Sequence, residues 1–339
     1  MSQVRICVDA MGGDHAPGIP VDGAIAAARE LGIHVTLVGL EDEIRKRLRD
    51  GGGDGLPIDV VHAPEVVEMD EDVISALRKK RCSSIRVGTT LLKEGKVDGF
   101  VSAGNTGAVM ATAKMVAGTI DGVDRPALAT IVPTLTGHAV LIDVGANVNC
   151  KPHHLEQFAI MGSIYAREIL AVKNPRVGLM SVGEEEGKGN ELTKEVFKVL
   201  KDADLNFVGN AEGRDVYAGK MDVIVCDGFT GNVILKVSES LIDAAVNLLR
   251  GEIEKGLLYR IGYIMARPAF RQFKKRLDYS EYGGAPLLGI KGVCLICHGR
   301  SPAKAIKNAV RVAGEFAQMR IADRIRTEIE KTFKKETTK

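Results

Sequence analysis

Short apolar runs rich in β-branched residues recur along the chain, and each ends in a loop of small polar residues before a segment that is compatible with a helix. This alternation is typical of a parallel sheet whose strands are connected by helices, and it predicts an α/β fold. Ligands of such sheets bind beyond the carboxyl ends of the strands, so we expect the binding residues in these loops. We call each junction of an apolar run with the loop that follows it a joint. The five clearest joints are 4–8 followed by 9–17, 99–101 by 102–108, 139–142 by 143–147, 177–182 by 183–191, and 222–226 by 227–232.

The loop at 183–191 combines three glycines and one lysine with four carboxylates. Glycines let backbone N–H groups approach a ligand closely, and Lys188 adds a positive charge, so this loop is suited to an anionic ligand. It is not a Walker A loop, because that motif requires Ser or Thr directly after the lysine, whereas Gly189 and then Asn190 follow Lys188 here. The alternative is a surface loop that is merely rich in glycine and charge.

Length and composition indicate a globular protein with a large core. Of its 339 residues 45% are hydrophobic, and we predict one continuous α/β unit over residues 1–330 with a polar tail at 331–339. The net charge of +2, the absence of tryptophan and the few aromatic residues give no indication of nucleic acid binding. No apolar run reaches about 18 residues and the first residues lead directly into a strand pattern, so neither a transmembrane helix nor a signal peptide is predicted. The six cysteines lie mostly in apolar runs, as expected for buried thiols in a reducing cytoplasm.

Cys294, Cys297 and His298 match the C-x-x-C-H pattern of haem attachment. The flanking residues instead indicate a strand followed by the start of a helix. Residues three apart on a strand point to opposite faces, so the two sulfurs are poorly placed to share a haem or a metal ion. We therefore predict a core strand, with His298 at its carboxyl end, where function is expected.

Residues 238–282 differ from the rest of the chain and predict a helical hairpin. Residues 255–277 contain seven Lys or Arg and no Asp or Glu, and Pro268 is expected to break or kink the second helix. An apolar stripe lies along one face of that helix: Leu257, Leu258, Ile261, Ile264 and Met265. The stripe fits packing on a partner subunit or contact with an anionic membrane surface, and both can hold in one hairpin.

Seven motifs occur in a fixed order from residue 11 to residue 289: MGGDHAP, SAGNTGA, DVGAN, GEEEGKGNE, FVGNAEGRD, CDGFTGNVILK and YGGAPLLG. Together they closely resemble the PlsX family of bacterial acyl-carrier-protein:phosphate acyltransferases, over nearly the whole chain. The resemblance implies a Rossmann-like α/β/α fold similar to phosphotransacetylases and to isocitrate/isopropylmalate dehydrogenases. The family carries an acid two residues after the DVGAN asparagine, whereas this chain has Asn149, so no role is assigned to that position.

The resemblance also implies an activity and partners. The family transfers a long-chain fatty acyl group from acyl carrier protein to inorganic phosphate, and the acyl phosphate enters phosphatidic acid synthesis. The implied partners are acyl-acyl carrier protein, phosphate, a second copy in a homodimer, an anionic membrane surface and a membrane glycerol-phosphate acyltransferase. The implied location is cytoplasmic with peripheral membrane association. Phosphate is itself the nucleophile, so no cofactor, metal ion or nucleophilic side chain is expected; the protein has to place two anionic partners and stabilise new negative charge.

We expect the phosphate to bind where a helix begins. Gly104, Asn105, Thr106 and Gly107 are predicted to form a cradle at a helix N-terminus, although Asn105 or Thr106 could simply cap that helix. Asn147 is predicted to donate a hydrogen bond to phosphate or to the oxyanion. Turn chemistry is the alternative for this asparagine.

Lys188 is predicted to neutralise charge in the transition state, with Gly187, Gly189 and Asn190 binding the substrate around it. His298 is predicted to protonate the leaving thiolate or to bind phosphate. A purely structural histidine is the alternative.

The remaining candidates lie on the first and last of the five joints. Asp9, Asp14 and His15 are predicted to organise the site without touching the substrate. Thr230 and Asn232 are candidates for contact with pantetheine or phosphate.

Three other functions remain open from the sequence. A dinucleotide-dependent dehydrogenase of the same fold would need a cluster of metal-binding aspartates, which we cannot assemble. A phosphotransacetylase that uses coenzyme A would not need the basic amphipathic hairpin. A non-catalytic lipid-surface scaffold gives no reason for five polar strand ends. Thiol release from acyl-acyl carrier protein, compared with reactions of acetyl coenzyme A and NAD, distinguishes them.

Overall fold

The computed structural model describes residues 3–277 and 279–336. In these residues the chain forms one mixed sheet of eleven strands. The strands are β1 (Arg5–Asp9), β2 (His34–Gly39), β3 (Ile58–His62), β4 (Gly99–Ser102), β5 (Ala127–Pro133), β6 (His138–Ile142), β7 (Val177–Met180), β8 (Phe207–Ala211), β9 (Val223–Val225), β10 (Ala285–Leu288) and β11 (Val293–Ile296). Their spatial order is β3-β2-β1-β4-β11-β10-β5-β6-β9-β7-β8.

Seven of the ten neighbouring strand pairs are parallel, which confirms the predicted α/β class with a largely parallel sheet. The three antiparallel pairs are β11 with β10, β10 with β5, and β5 with β6. The short connection from Pro133 to His138 requires this arrangement for β5 and β6, because a parallel pair needs a much longer crossover.

Helices cover both faces of the sheet and give the expected α/β/α layers. They are α1 (Gly18–Leu31), α2 (Glu41–Asp50), α3 (Val73–Lys79), α4 (Ser84–Lys93), α5 (Thr106–Val116), α6 (Pro152–Ile169), α7 (Glu191–Asp202), α8 (Gly228–Glu254), α9 (Leu257–Leu277), α10 (Ala303–Met319) and α11 (Ile321–Glu336). One core lies under α1, α2, α6, α7, α10 and α11. The other lies under α3, α4, α5 and the first turns of α8. Each of these ten helices is thus held by the apolar face that it turns to the sheet, whereas α9 lies outside both cores.

The alternation along β11 places Cys294 and Cys297, the residue that directly follows the strand, on opposite faces, as predicted. Cys294 packs in the core under α3, α4 and α5, whereas Cys297 packs in the core on the other face. Burial raises the pKa of both thiols to about 12. Both therefore remain protonated at neutral pH, which suits core residues and not a nucleophile.

Helices α8 and α9 form the hairpin that was predicted near residues 238–282. Helix α8 begins earlier than predicted, at Gly228, because the Asp227 side chain caps it by accepting the N–H of Thr230 at 3.0 Å. Helix α9 continues through Pro268, so the predicted break does not occur. Proline removes only one backbone donor, and on an exposed helix water can satisfy the carbonyl that loses its partner.

The apolar stripe of α9 is exposed in the single chain. The exposed fractions are 76% for Leu257, 78% for Leu258, 47% for Ile261, 67% for Ile264 and 79% for Met265. Among the described helices, none has the length and apolar composition needed to cross a membrane. The segment predicted as a polar tail is helical as far as Glu336, where α11 ends, and residues 337–339 lie outside the described part.

Candidate functional site

The carboxyl ends of the strands form two groups. The three antiparallel pairs in the middle of the sheet, which involve β10 and β5, together reverse the strand direction. The carboxyl ends of β1, β4 and β11 therefore lie at one edge of the sheet, and those of β6, β9 and β7 lie at the opposite edge. The first cluster consists of the predicted site residues at the ends of β1, β4 and β11: Asp9, Asp14, His15, Gly104, Asn105, Thr106, Gly107 and His298. The second cluster consists of those at the ends of β6, β9 and β7: Asn147, Gly187, Lys188, Gly189, Asn190, Thr230 and Asn232.

Asp9 connects two loops of the first cluster. Its buried side chain accepts hydrogen bonds from Ser102 Oγ at 2.7 Å and from the backbone N–H of Met11 at 3.1 Å. Ser102 Oγ also accepts the N–H of Gly104 at 3.0 Å. Burial raises the pKa of Asp9, and the hydrogen bonds oppose that rise. This geometry supports the predicted organising role, because the carboxylate holds both loops without reaching solvent.

Both polar atoms of the Asn105 side chain form hydrogen bonds within the protein. Its Oδ1 accepts the N–H of Ala108 at 3.0 Å, which caps α5. Its Nδ2 donates to the backbone oxygens of Met69 at 3.0 Å and Glu71 at 3.1 Å. The geometry therefore favours the capping alternative for Asn105 over direct phosphate contact.

Other groups at the start of α5 remain suited to an anion. The N–H groups of Thr106 and Gly107 precede the first turn's hydrogen bonds and have no acceptor within the helix. The Thr106 side chain is exposed. A Cβ at Gly107 would lie only 2.8 Å from Val73 Cγ2, so α3 packs closely against this end of α5. A helix N-terminus with free donors favours bound negative charge.

The loops after β1 and β11 are bonded to each other. The N–H of Asp14 donates to Gly299 O at 2.9 Å, and Asp14 Oδ2 lies 3.7 Å from Nε of the exposed Arg300. His15 is exposed beside them. The three loops of the first cluster therefore form one polar surface.

His298 has an acidic partner on a distant part of the chain. Its Nε2 lies 3.2 Å from Oε1 of Glu239, which α8 brings to the end of β11. Lys236 contacts the same carboxyl, with Nζ at 2.9 Å from Oε2. Burial acts to raise the pKa of Glu239, but the hydrogen bonds from His298 and Lys236 outweigh that effect and lower the pKa to about 2. Sequence reasoning missed Glu239, because nothing in the helical pattern around it indicates which way it faces.

Asn147 in the second cluster is held by a buried aspartate. Its backbone N–H donates to Asp143 Oδ2 at 2.7 Å, and its Nδ2 donates to the same oxygen at 2.9 Å and to Pro126 O at 2.7 Å. Burial raises the pKa of Asp143, and hydrogen bonds including these oppose the rise. Both hydrogens of the Asn147 amide are thus used, so the geometry favours turn chemistry over a direct bond to phosphate.

The first turn of α8 packs directly on this aspartate loop. A Cβ at Gly231 would lie 1.9 Å from Asp143 O, which no L side chain could occupy without moving backbone. We expect Gly231→Ala to lower the free energy of unfolding by about 1–3 kcal/mol or more, measured by urea denaturation. Gly251→Ala in the same helix is the control, because Gly251 has open space around its Cα, and it should be neutral or stabilising. Equal stability of the two variants would contradict the close packing.

Thr230 and Asn232 differ in what they offer a ligand. Thr230 is occupied with the cap of α8, since its Oγ1 donates to Asp227 Oδ2 at 2.8 Å. Asn232 is exposed beside Gly145 and makes no side-chain hydrogen bond with any residue that the structure describes. Of these two predicted contacts, Asn232 is the one with a side chain available for a substrate.

Lys188 is an exposed cation in a loop in which two of the four acids pair with other cations. Glu184 pairs with Arg214 at 3.1 Å, and Glu186 pairs with Lys201 at 3.1 Å. Lys188 itself forms no ion pair within residues 3–277 and 279–336, and its side chain is exposed. The positive charge is therefore available to an anionic ligand.

The residues around Lys188 shape its loop. Asn190 caps α7 by accepting the N–H of Thr193 at 2.9 Å, so its role in the structure is local. Gly189 has φ +106°, a conformation that favours glycine, and a Cβ there would lie 2.1 Å from Thr193 Oγ1. Gly187 has open space around it.

Helix α8 connects the two clusters. Its N–H at Gly228 donates to Asn147 O at 2.7 Å, and farther along the helix Glu239 reaches His298. At a rise of about 1.5 Å per residue, the helix covers roughly 16 Å between Gly228 and Glu239. The structure thus separates the predicted residues into two groups with one rigid element between them.

Asp124, His153 and His154 lie close enough to one another to share a metal ion. Nε2 of His154 is 2.7 Å and Nε2 of His153 is 3.1 Å from Asp124 Oδ2. Nδ1 of His154 accepts the N–H of Lys151 at 3.0 Å, so the ring proton lies on Nε2 and is donated to Asp124. A coordinating nitrogen must be unprotonated, so these residues fit a hydrogen-bonded group better than a metal site.

The chain closely matches known sequences over most of its length. A family described as fatty acid synthesis protein matches residues 4–324. A phosphate acyltransferase from Geotalea daltonii is 55% identical over 315 residues, covering 93% of this chain and 91% of its own. Proteins of the same name from Acidobacterium capsulatum (56% over 313 residues, 92% and 93%) and Geobacter sulfurreducens (51% over 330 residues, 97% and 95%) are comparably similar.

Solved structures resemble the chain at the level of the fold. A phosphotransacetylase from Streptococcus pyogenes superposes with a TM-score of 0.60 at 18% identity, covering 92% of this chain and 93% of that chain. A putative 4-hydroxythreonine-4-phosphate dehydrogenase from Salmonella typhimurium has a TM-score of 0.52 at 12% identity, covering 93% and 99%. These likenesses confirm the predicted phosphotransacetylase-like and dehydrogenase-like fold. By the extent of its sequence match, the chain belongs to the fatty acid synthesis protein family, which confirms the PlsX membership predicted from its motifs.

Proposed function

We propose that the protein transfers a long-chain fatty acyl group from acyl-acyl carrier protein to inorganic phosphate. The observation that carries the proposal is the His298–Glu239 pair, which lies at the same sheet edge as the N-terminus of α5, where the N–H groups of Thr106 and Gly107 have no acceptor within the helix. A donor for phosphate and a proton source for a leaving thiolate thus belong to one polar surface. The names of the relatives support the same reaction, because they state phosphate and acyl transfer.

Phosphate is proposed to bind at the start of α5. The N–H groups of Thr106 and Gly107 and the Thr106 hydroxyl supply donors, and the helix dipole favours the dianion. A phosphate oxygen then attacks the thioester carbonyl carbon, and the carbon–sulfur bond breaks as the acyl phosphate forms. His298 in its protonated form gives a proton to the departing thiolate and regains one from the proton that HPO₄²⁻ brought.

This reaction uses no nucleophilic side chain. Phosphate itself is the nucleophile, and three of the cysteines near the strand ends are unsuited to that task. Burial raises the pKa of Cys294 and Cys297 to about 12, and it raises the pKa of Cys226 well above its ordinary value. Neither a cofactor nor a metal ion is part of the proposed mechanism.

The second cluster is proposed to supply the remaining positive charge. Lys188 neutralises the phosphate or the oxyanion, and Asn232 contacts the substrate beside it. The proposal requires that the loop of Lys188 and the N-terminus of α5 face the same extended substrate.

The hairpin is proposed to place the enzyme at a membrane. Its stem fits a homodimer contact, and the exposed stripe with the cations of α9 fits an anionic lipid surface. A location in the cytoplasm at the membrane suits a labile acyl phosphate, which a membrane glycerol-phosphate acyltransferase would then use for phosphatidic acid synthesis.

The proposed reaction predicts a strict need for phosphate. Purified protein should release carrier-protein thiol from long-chain acyl-acyl carrier protein only when phosphate is added, with EDTA present and without nucleotide. Thiol release is followed with a thiol reagent and acyl phosphate by hydroxylamine trapping. Hydrolysis without phosphate, or loss of activity in EDTA, would contradict the mechanism.

Two parallel assays separate the rival functions. The fold likeness to phosphotransacetylases makes acetyl coenzyme A with phosphate the sharpest comparison. We expect long-chain acyl-acyl carrier protein to be used with a higher kcat/KM than acetyl coenzyme A. A preference for acetyl coenzyme A would identify a phosphotransacetylase, and reduction of NAD would identify a dehydrogenase.

A further inference from the structure

We propose that three exposed apolar side chains beside the second cluster bind the fatty acyl chain of the substrate. Val148 lies in the loop after β6, Val182 lies in the loop after β7, and Phe229 lies in the first turn of α8, directly after β9. Their exposed fractions are 60%, 81% and 62%. We call these three residues the apolar patch. The inference rests on the proposed function, because it assigns the apolar part of that substrate to this edge of the sheet.

The residues of the apolar patch lie on neighbouring loops. Strand β9 lies between β6 and β7 and pairs in register with both. Neighbouring strands are about 4.7–4.9 Å apart, so the loops after β6 and β7 begin about 10 Å from each other. The N–H of Gly228 donates to Asn147 O at 2.7 Å. Phe229 and Val148 directly follow these two residues, so the hydrogen bond brings their backbones together.

The apolar patch borders the groups that are proposed to bind the anionic part of the substrate. A Cβ at Gly183, the residue after Val182, would lie 2.9 Å from Lys188 Cγ, so the lysine stem passes beside the patch. A Cβ at Gly145, in the loop of Val148, would lie 3.9 Å from Asn232 Cβ. Apolar side chains with a few polar groups at their border are typical of a small-molecule site.

The charge at the border favours an acyl group as the occupant. Lys188 has no ion-pair partner in the part of the chain that the structure describes, so its charge is available to an anion. An acyl phosphate combines an anionic head with a long apolar chain, and the patch combines one cation with apolar side chains in the same way. The stripe of α9 differs, because cations accompany it along a whole helix, which suits an extended anionic surface.

Alkylphosphonates test the assignment without turnover. Dodecylphosphonate has a long chain on an anionic head, and butylphosphonate has the same head on a short chain. By isothermal titration calorimetry below the micelle concentration, wild type should bind dodecylphosphonate about tenfold or more tightly, since buried methylenes favour binding. Phe229→Ser should weaken dodecylphosphonate binding by about tenfold or more, and Val148→Ser or Val182→Ser by about three- to tenfold. Butylphosphonate binding should change by less than about threefold, because the head keeps its contacts.

Two controls restrict the effect to the apolar patch. Leu135→Ser removes a side chain that is 86% exposed in the loop between β5 and β6, at the opposite edge of the sheet, and should bind both phosphonates as wild type does. Leu258→Glu with Ile261→Glu should also retain binding, which shows that the α9 stripe does not hold the ligand. Equal losses in these controls, or unchanged binding by the patch variants, would overturn the proposal.

The folded state is checked by thermal unfolding. Because the three side chains are exposed, their removal leaves no buried cavity, and each variant should unfold at the wild-type temperature. Val182→Ser changes the most exposed of them and provides the test even if Phe229→Ser is destabilised. Light scattering of the same variants should give the wild-type mass. A fall in mass would overturn the proposal, because it would place a second copy of the chain on the patch.

The inference and the proposed function can fail separately. Weaker dodecylphosphonate binding by the patch variants, in a protein that releases no thiol from acyl-acyl carrier protein with phosphate, would support the patch and refute the proposed reaction. Phosphate-dependent thiol release with the same dependence on acyl-chain length in wild type and all patch variants would refute the patch alone. The expected result is that kcat/KM falls in the patch variants for long acyl chains more than for short ones.

Discussion

Lys188→Ala is expected to lower turnover of long-chain acyl-acyl carrier protein by about 10²-fold or more while the fold stays intact. The side chain is exposed and has no ion-pair partner in the described part of the chain, so its removal leaves no buried charge behind. A preorganised donor facing developing negative charge contributes about 2.7–4 kcal/mol to transition-state stabilisation. The measurement is kcat at saturating phosphate, with thermal unfolding to show that the structure survives.

Two further variants separate charge from position in that experiment. Lys188→Arg keeps the charge on a different geometry and should restore part of the activity. Lys198→Ala is the matched control, because this exposed lysine on α7 also lacks an ion pair within the described residues and lies outside the strand-end loops. If the activity of Lys188→Ala stays within threefold of wild type, the prediction is wrong and the loop is only a charged surface turn.

The class of the fold was accessible from the sequence because buried strands and helices leave different periodicities. Each of the five predicted joints is a strand followed by a loop and a helix, including the joint after β6, whose loop leads into α6 at Pro152. The reversal at β10 and β5 escaped prediction, since short strands of four to seven residues look the same in either direction. That reversal is what divides the predicted site into two clusters.

The sequence predicted where the candidate residues lie in the fold better than it predicted which atoms their side chains contact. Residue type and position at a strand end led to the prediction of His298, Lys188 and the α5 N-terminus as site residues, and these roles stay predictions. Asn105 and Asn147 looked equally suited to a ligand, yet their amides bind backbone oxygens, and only the folded structure shows which partner wins. Glu239 was missed for a related reason. It is 59 residues away from His298 in the sequence, and only the folded structure shows that the two side chains are in contact.

The hairpin raises a question of energetics. Its stripe is largely exposed in the single chain, with Leu258 at 78% and Ile261 at 47% exposed. Burial of each such side chain in lipid is worth on the order of 1 kcal/mol or more, and each nearby cation adds about 1 kcal/mol at an anionic surface. A single hairpin tip therefore suffices for reversible membrane binding without permanent insertion. The same stripe could instead be covered by a second copy of the chain.

Leu258→Glu combined with Ile261→Glu decides between those two partners. The double variant should no longer float with anionic vesicles, because two charges replace the apolar contact, yet its turnover of soluble acyl-acyl carrier protein should stay within about threefold of wild type. Met115→Glu with Met319→Glu is the control, since it adds the same charge at exposed apolar positions outside the hairpin and should leave flotation unchanged. Continued flotation of the hairpin variant would show that the stripe is not the anchor. Light scattering completes the test: inactive monomers would mean that the stripe belongs to a dimer interface, because only a subunit contact links these residues to both mass and activity.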